Sequence, residues 1–131
     1  MLAIGSLAEF EESIAQLLEI ASPHLQGEEV QLMHSEMQLS DFSIWAFAVT
    51  STRGLVLHLD GITDLEQFQP IEHFGPFPIS DIREISNDGP EGTTCIVLED
   101  DVFVPSGQVS MGKTTSEALE ELKGAINSLS R

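Results

Sequence analysis

The apolar positions near the start of the chain follow a helical period. They recur at spacings of three and four and form one stripe: Leu7, Phe10, Ile14, Leu17, Leu18 and Ala21. Ser6 and Glu9 match a capping box, in which a hydroxyl and a carboxylate satisfy the free amides of the first turn. Pro23 and Gly27 end the pattern. The sequence therefore predicts an α-helix from Leu7 to Ala21.

The middle of the chain changes to the periods of strands. The segment Val30–Leu39 switches the parity of its apolar positions, which predicts a bulge or a weak edge strand. The segment Phe42–Thr50 is apolar on both parities and rich in aromatic and β-branched residues, as in a central strand. A turn at Ser51–Gly54 and the alternation of Leu55–Asp60 complete a predicted β-hairpin.

Turn residues dominate the next part of the chain. Glycines and prolines across residues 61–78 predict a long loop with a helical turn at Thr63–Phe68. Ile79–Ile85 is assigned to a further strand. A second hairpin is predicted from the strands Thr93–Leu98 and Val102–Val104 around an acidic turn.

The C-terminal part returns to a helical stripe, made of Ala118, Leu119, Leu122, Ala125, Ile126 and Leu129, after a capping box at Thr114 and Glu117. Strands gathered between two helices predict a single α+β domain over residues 1–131. We expect an N-terminal helix, an antiparallel sheet of about five or six strands built from hairpins, and a C-terminal helix packed on the sheet. A homodimer is one way to cover the other face of the sheet.

The net charge of the chain limits the classes of partner that it is expected to bind. The chain holds 22 acidic and 5 basic residues, a net charge of -17, and its first basic residue is Arg53. The whole net charge lies in residues 1–104, because the acids and bases of residues 105–131 balance. Nucleic acids and anionic membranes need Lys and Arg, so neither is an expected partner. A basic protein is the expected partner.

Cysteine and histidine give no sign of a catalytic or metal site. A lone Cys95 makes no internal disulfide and no cysteine zinc site, which favours the cytoplasm. The N-terminus lacks the basic residues of a signal peptide, and no apolar stretch has the length of a membrane span. The histidines are scattered, at His24, His34, His58 and His73. We therefore expect no enzyme activity, no cofactor and no metal.

One octapeptide carries a recognisable motif. Gly107–Thr114 (GQVSMGKT) matches the pattern G-x-x-x-x-G-K-[ST] and resembles the phosphate-binding loop of P-loop NTPases. The resemblance implies that Gly112, Lys113 and Thr114 bind phosphate. It covers eight residues only, and the 17 residues after Thr114 leave no room for the strands and helices of that fold.

These observations favour a small, acidic, non-catalytic module that binds a basic protein, as a chaperone or an inhibitor or immunity protein does. Two alternatives remain. One is a phosphate- or nucleotide-binding protein that uses the loop Gly107–Thr114. The other is a domain that holds a small ligand in a pocket under the loop of residues 61–78, since long loops often cover pockets.

Overall fold

The chain folds into helices and strands of the predicted class, although a short strand precedes the first helix. The computed structural model describes residues 1–129. Its helices are α1 (Glu11–Ala21), α2 (Ile62–Glu66) and α3 (Ser116–Leu129). Its strands are β1 (Leu2–Ile4), β2 (Leu32–Met37), β3 (Ile44–Val49), β4 (Arg53–Leu59), β5 (Glu72–Pro78), β6 (Ile82–Ser86), β7 (Cys95–Leu98) and β8 (Gln108–Ser110). The predicted α+β class, with a helix near each end, is confirmed.

The strands form two sheets, where the sequence predicted one. Strands β1 to β5 lie side by side in chain order, and β1 is parallel to β2 while the other neighbours are antiparallel. Strands β6, β7 and β8 form a separate antiparallel sheet. The expectation of one antiparallel sheet made only of hairpins is therefore wrong. The parallel strand β1 has three residues, too few to show a period in the sequence.

The predicted hairpin of β3 and β4 is confirmed, with Ile44 opposite Leu59 and Val49 opposite Gly54. Two neighbouring segments differ from the prediction. Strand β2 is a regular, mostly buried strand, neither a bulge nor a weak edge. The predicted loop ends in strand β5, which contains Pro76 and Pro78. Proline is tolerated there because β5 lies at the edge of the sheet, where not every amide needs a partner.

The second predicted hairpin uses a different partner strand. Val102–Val104 form an irregular turn, and the side chain of Val102 is 75% exposed. A 3-10 turn at Pro105–Gly107 instead brings β8 beside β7, with Cys95 opposite Ser110. The sequence missed this pairing because the loop between the two strands is longer than a hairpin turn.

Both predicted capping boxes at the long helices are replaced by other contacts. Helix α1 begins at Glu11, because Ser6 is engaged by β2: its amide donates to Glu36 Oε2 (3.2 Å) and its hydroxyl accepts from the Met37 amide (2.9 Å). At α3 the cap is Thr115, whose hydroxyl accepts from the amide of Ala118 (3.2 Å). Thr114 turns inward.

Two apolar cores lie on opposite faces of the five-stranded sheet. The first, under α1, contains Leu7, Ile14, Leu17, Ile20, Ala21, Leu25, Met33, Ile44, Ala46, Ala48, Leu55, Leu57, Leu59 and Leu65. The second joins the other face to the three-stranded sheet and α3; its largest members are Phe47, Phe77, Ile96, Met111 and Leu122. Strand β3 is thus covered on both faces, as predicted, but by its own chain. A second copy of the chain is therefore not needed to cover this strand.

Candidate functional site

A groove of about 680 Å³ opens between α1 and α2, at one end of the five-stranded sheet. Leu7, Ile44 and Leu65, which are buried, contribute to its floor. Phe10 and Ile62 line it although their side chains are 57% and 52% exposed. Large apolar side chains held in water beside a cavity are typical of a binding surface.

The charges around this groove have one sign. Glu12 and Glu66 line it, and the described residues that line it include no Lys or Arg. Helices α1 and α2 belong to the stretches 1–52 and 54–82, which contain no basic residue. The groove therefore combines an apolar floor with an acidic rim, and its electrostatic potential favours a cationic ligand.

The turn between β2 and β3 lies next to α2 and adds exposed apolar surface. Its Leu39 and Phe42 side chains are 82% and 61% exposed. Asp41 holds the turn: its Oδ1 accepts from the Ser43 amide (3.0 Å) and hydroxyl (2.7 Å). These hydrogen bonds lower the pKa of Asp41 and keep the carboxylate charged.

The groove was found by the structure and not by the sequence. Its walls come from segments about fifty residues apart, and Phe10 was assigned to the buried stripe of α1. The alternative of a pocket at residues 61–78 has a physical counterpart here, because α2 forms one wall. The other wall is α1, however, and residues 72–78 form a strand where a loop was predicted.

The P-loop-like segment has a different geometry from the loop it resembles. Its middle forms β8, and α3 begins two residues after Thr114. The Met111 amide donates to the Thr94 carbonyl (2.7 Å), and the Lys113 amide donates to Gln38 Oε1 (2.9 Å). A phosphate cradle needs these amides free and converging.

Gly112 and Thr114 have structural roles in this position, whereas the Lys113 side chain is exposed. A Cβ on Gly112 would lie 2.8 Å from the Trp45 ring and closer still to Gln38, so the close packing requires glycine. The hydroxyl of Thr114 is buried and lies 3.4 Å from His34 Nε2. The close packing at Gly112 and the contact of Thr114 with His34 thus account for these two residues without a phosphate.

His34 is the centre of a buried polar cluster in the second core. Its Nε2 lies 3.3 Å from Glu36 Oε1 as well as 3.4 Å from the Thr114 hydroxyl. The His34 side chain is fully buried, and its Nδ1 has no hydrogen-bond partner among residues 1–129. Burial acts to raise the pKa of Glu36, but its interactions with His34 and Ser6 outweigh this effect and lower the pKa.

This lowered pKa predicts a loss of stability in acid. A carboxyl group whose pKa is lower in the folded state stabilises that state above its unfolded pKa, here 4.5, and the contribution disappears as the pH falls through the lower folded value. We expect the free energy of unfolding to fall below pH 4.5 by a larger amount in the wild type than in Glu36→Gln. Urea titrations at several pH values measure this, and parallel pH profiles for the two proteins would contradict it.

The other histidines occupy two surface positions. His58 stacks on Trp45 with ring centroids 4.0 Å apart, and its Nδ1 lies 3.2 Å from Glu72 Oε1. His24 and His73 lie next to each other, with ring centroids 4.3 Å apart. Neither arrangement was predicted from the sequence, because strand pairing and the 3-10 turn after α1 create them.

Cys95 and the acidic turn show no catalytic arrangement. Burial raises the pKa of the Cys95 thiol, which disfavours the reactive thiolate. Near Glu99 and Asp100, burial and these two charges raise the pKa of Asp81. Across residues 1–129, no three histidine, cysteine, aspartate or glutamate side chains are grouped suitably for a metal ion.

Comparison with known proteins identifies no relative: the chain matches no protein family, no curated protein and no solved structure. Within residues 1–129, none of the helices is long and apolar enough to cross a bilayer.

Proposed function

We propose that this chain is a non-catalytic binding module that holds a basic, partly apolar segment of a partner protein in the groove between α1 and α2. The observation that carries the proposal is the combination of exposed Phe10 and Ile62 with the acidic rim. An apolar anchor supplies affinity, and charge complementarity supplies steering and selectivity. Chaperones and inhibitors of basic proteins act in this way. We propose that the module acts in the cytoplasm.

The shape of the groove favours a peptide segment over a small ligand. Two helices form its walls, and the turn with the exposed Leu39 and Phe42 follows Met37, which lines the groove. An amphipathic helix presents side chains at a matching period, with an apolar stripe for the floor and lysines beside it for Glu12 and Glu66.

The test uses a synthetic amphipathic peptide of leucine and lysine, labelled for fluorescence anisotropy. We expect the double variant Glu12→Lys/Glu66→Lys to weaken binding about tenfold or more at 0.1 M salt, where the Debye length is about 10 Å. The matched control is Glu84→Lys/Glu99→Lys, which changes the net charge equally at exposed positions near the three-stranded sheet. The control should lose little affinity.

A second pair of variants tests the apolar contribution. The double variant Phe10→Ser/Ile62→Ser should weaken binding about as strongly as Glu12→Lys/Glu66→Lys does. The dependence of the affinity on salt should stay unchanged, because no charge is removed. Equal losses from the groove and control charge pairs would show that only net charge attracts the peptide. Such a result, or an affinity independent of salt, would overturn the proposal.

A further inference from the structure

The four histidines fall into two classes by their partners. His34 and His58 each have a carboxylate oxygen within 3.3 Å of a ring nitrogen. The side chains of His24 and His73 have no ion pair and no hydrogen bond with any of residues 1–129; their rings contact each other. Two adjacent imidazoles without carboxylate partners keep their nitrogen lone pairs available to a ligand.

The secondary structure fixes the backbone positions of His24 and His73. His24 lies in the 3-10 turn Ser22–Leu25, which follows α1 directly and is anchored by the fully buried Leu25. His73 lies on β5 opposite Leu57, on the face of the sheet that α1 covers. The two residues are therefore close to each other before a metal ion binds, and binding needs to order only their side chains.

We propose that His24 and His73 form a two-histidine site for a divalent transition metal such as Zn²⁺ or Cu²⁺. Imidazole nitrogen is a preferred ligand of these ions. Two nitrogens bound to one Zn²⁺ at about 2.0–2.1 Å lie roughly 3.0–3.4 Å apart. Rings with centroids 4.3 Å apart can present nitrogens at this separation after a side-chain rotation.

The carboxylate next to His73 in the chain does not pair with either ring. The carboxylate of Glu72 points to the opposite face of the sheet, where it contacts His58. Water molecules would complete the coordination, as in sites with few protein ligands.

The experiment is calorimetric titration of untagged protein with Zn²⁺. The wild type should bind one ion per chain, and His24→Gln and His73→Gln should each weaken binding at least about tenfold, because one of two protein ligands is lost. The matched control His58→Gln removes an imidazole of the other class and should bind like the wild type. Without metal, the single variants should unfold at the wild-type temperature.

Cu²⁺ gives an independent count of the ligands. Electron paramagnetic resonance of the Cu²⁺ complex should show two imidazole nitrogens in the wild type and one in His73→Gln. Equal Zn²⁺ affinity in all four proteins, or no binding heat, would overturn the site. A stoichiometry of half an ion per chain would also overturn it, because the ion would then bridge two copies.

Discussion

Replacing Gly5 with alanine should destabilise the protein by about 3 kcal/mol or more, from backbone strain together with steric overlap. Gly5 follows β1 with φ at +99°, in the left-handed region that side chains disfavour. A Cβ there would overlap the carbonyl oxygen of Ser35 and lie 3.0 Å from Glu36 Oε1. Alanine would therefore push the chain away from β2 and disturb the buried carboxylate.

The matched control for this prediction is Gly27→Ala. Gly27 also has a left-handed φ, +81°, but a Cβ there meets no atom within 4 Å. Gly27→Ala should therefore lower the free energy of unfolding only by the backbone strain, about 1–2 kcal/mol. Urea unfolding followed by the fluorescence of the single Trp45 measures both variants. Equal losses would show that the packing around Gly5 relaxes freely.

His34→Leu should destabilise the protein by about 3 kcal/mol, because it leaves the Glu36 carboxylate in a buried site without its histidine partner. Leucine occupies part of the volume of histidine, so loss of packing lowers the free energy of unfolding less than the unpaired carboxylate does. The Thr114 hydroxyl also loses its contact with His34 Nε2. Equilibrium unfolding at pH 7 gives the difference in free energy.

A double-mutant cycle distinguishes the interaction between His34 and Glu36 from a general loss of core packing. Glu36→Gln removes the charge and keeps the shape of the side chain. The double variant His34→Leu/Glu36→Gln should lose less than the two single variants together, with a coupling of about 1 kcal/mol or more. Strict additivity would mean that His34 and Glu36 do not stabilise each other.

The elements that the sequence located correctly have strong local patterns. The stripe of α3 buries Leu119, Leu122 and Ile126, and the end of α1 at Ala21 agrees with the prediction. Strand β3 is central, as its apolar residues on both parities indicated. In these segments burial follows the period of the backbone, so each sequence pattern directly reports which face is covered.

The errors lie where a distant contact replaced a local one. Ser6 was predicted to cap α1, but its hydrogen bonds go to β2. Thr114 was predicted to cap α3, but its hydroxyl contacts His34, 80 residues away. A side chain with polar atoms suits several partners equally well, and local sequence does not say which one tertiary packing brings near.

The sequence by itself determined the fold class, the two long helices, the central hairpin and the uneven acidic charge. These follow from residue types and their spacing, which act over one helical turn or one strand pair. Only the tertiary structure decided the division into two sheets, the groove between α1 and α2, and the pairing of His24 with His73. Each of these joins segments far apart in the chain, and such contacts depend on how whole elements pack.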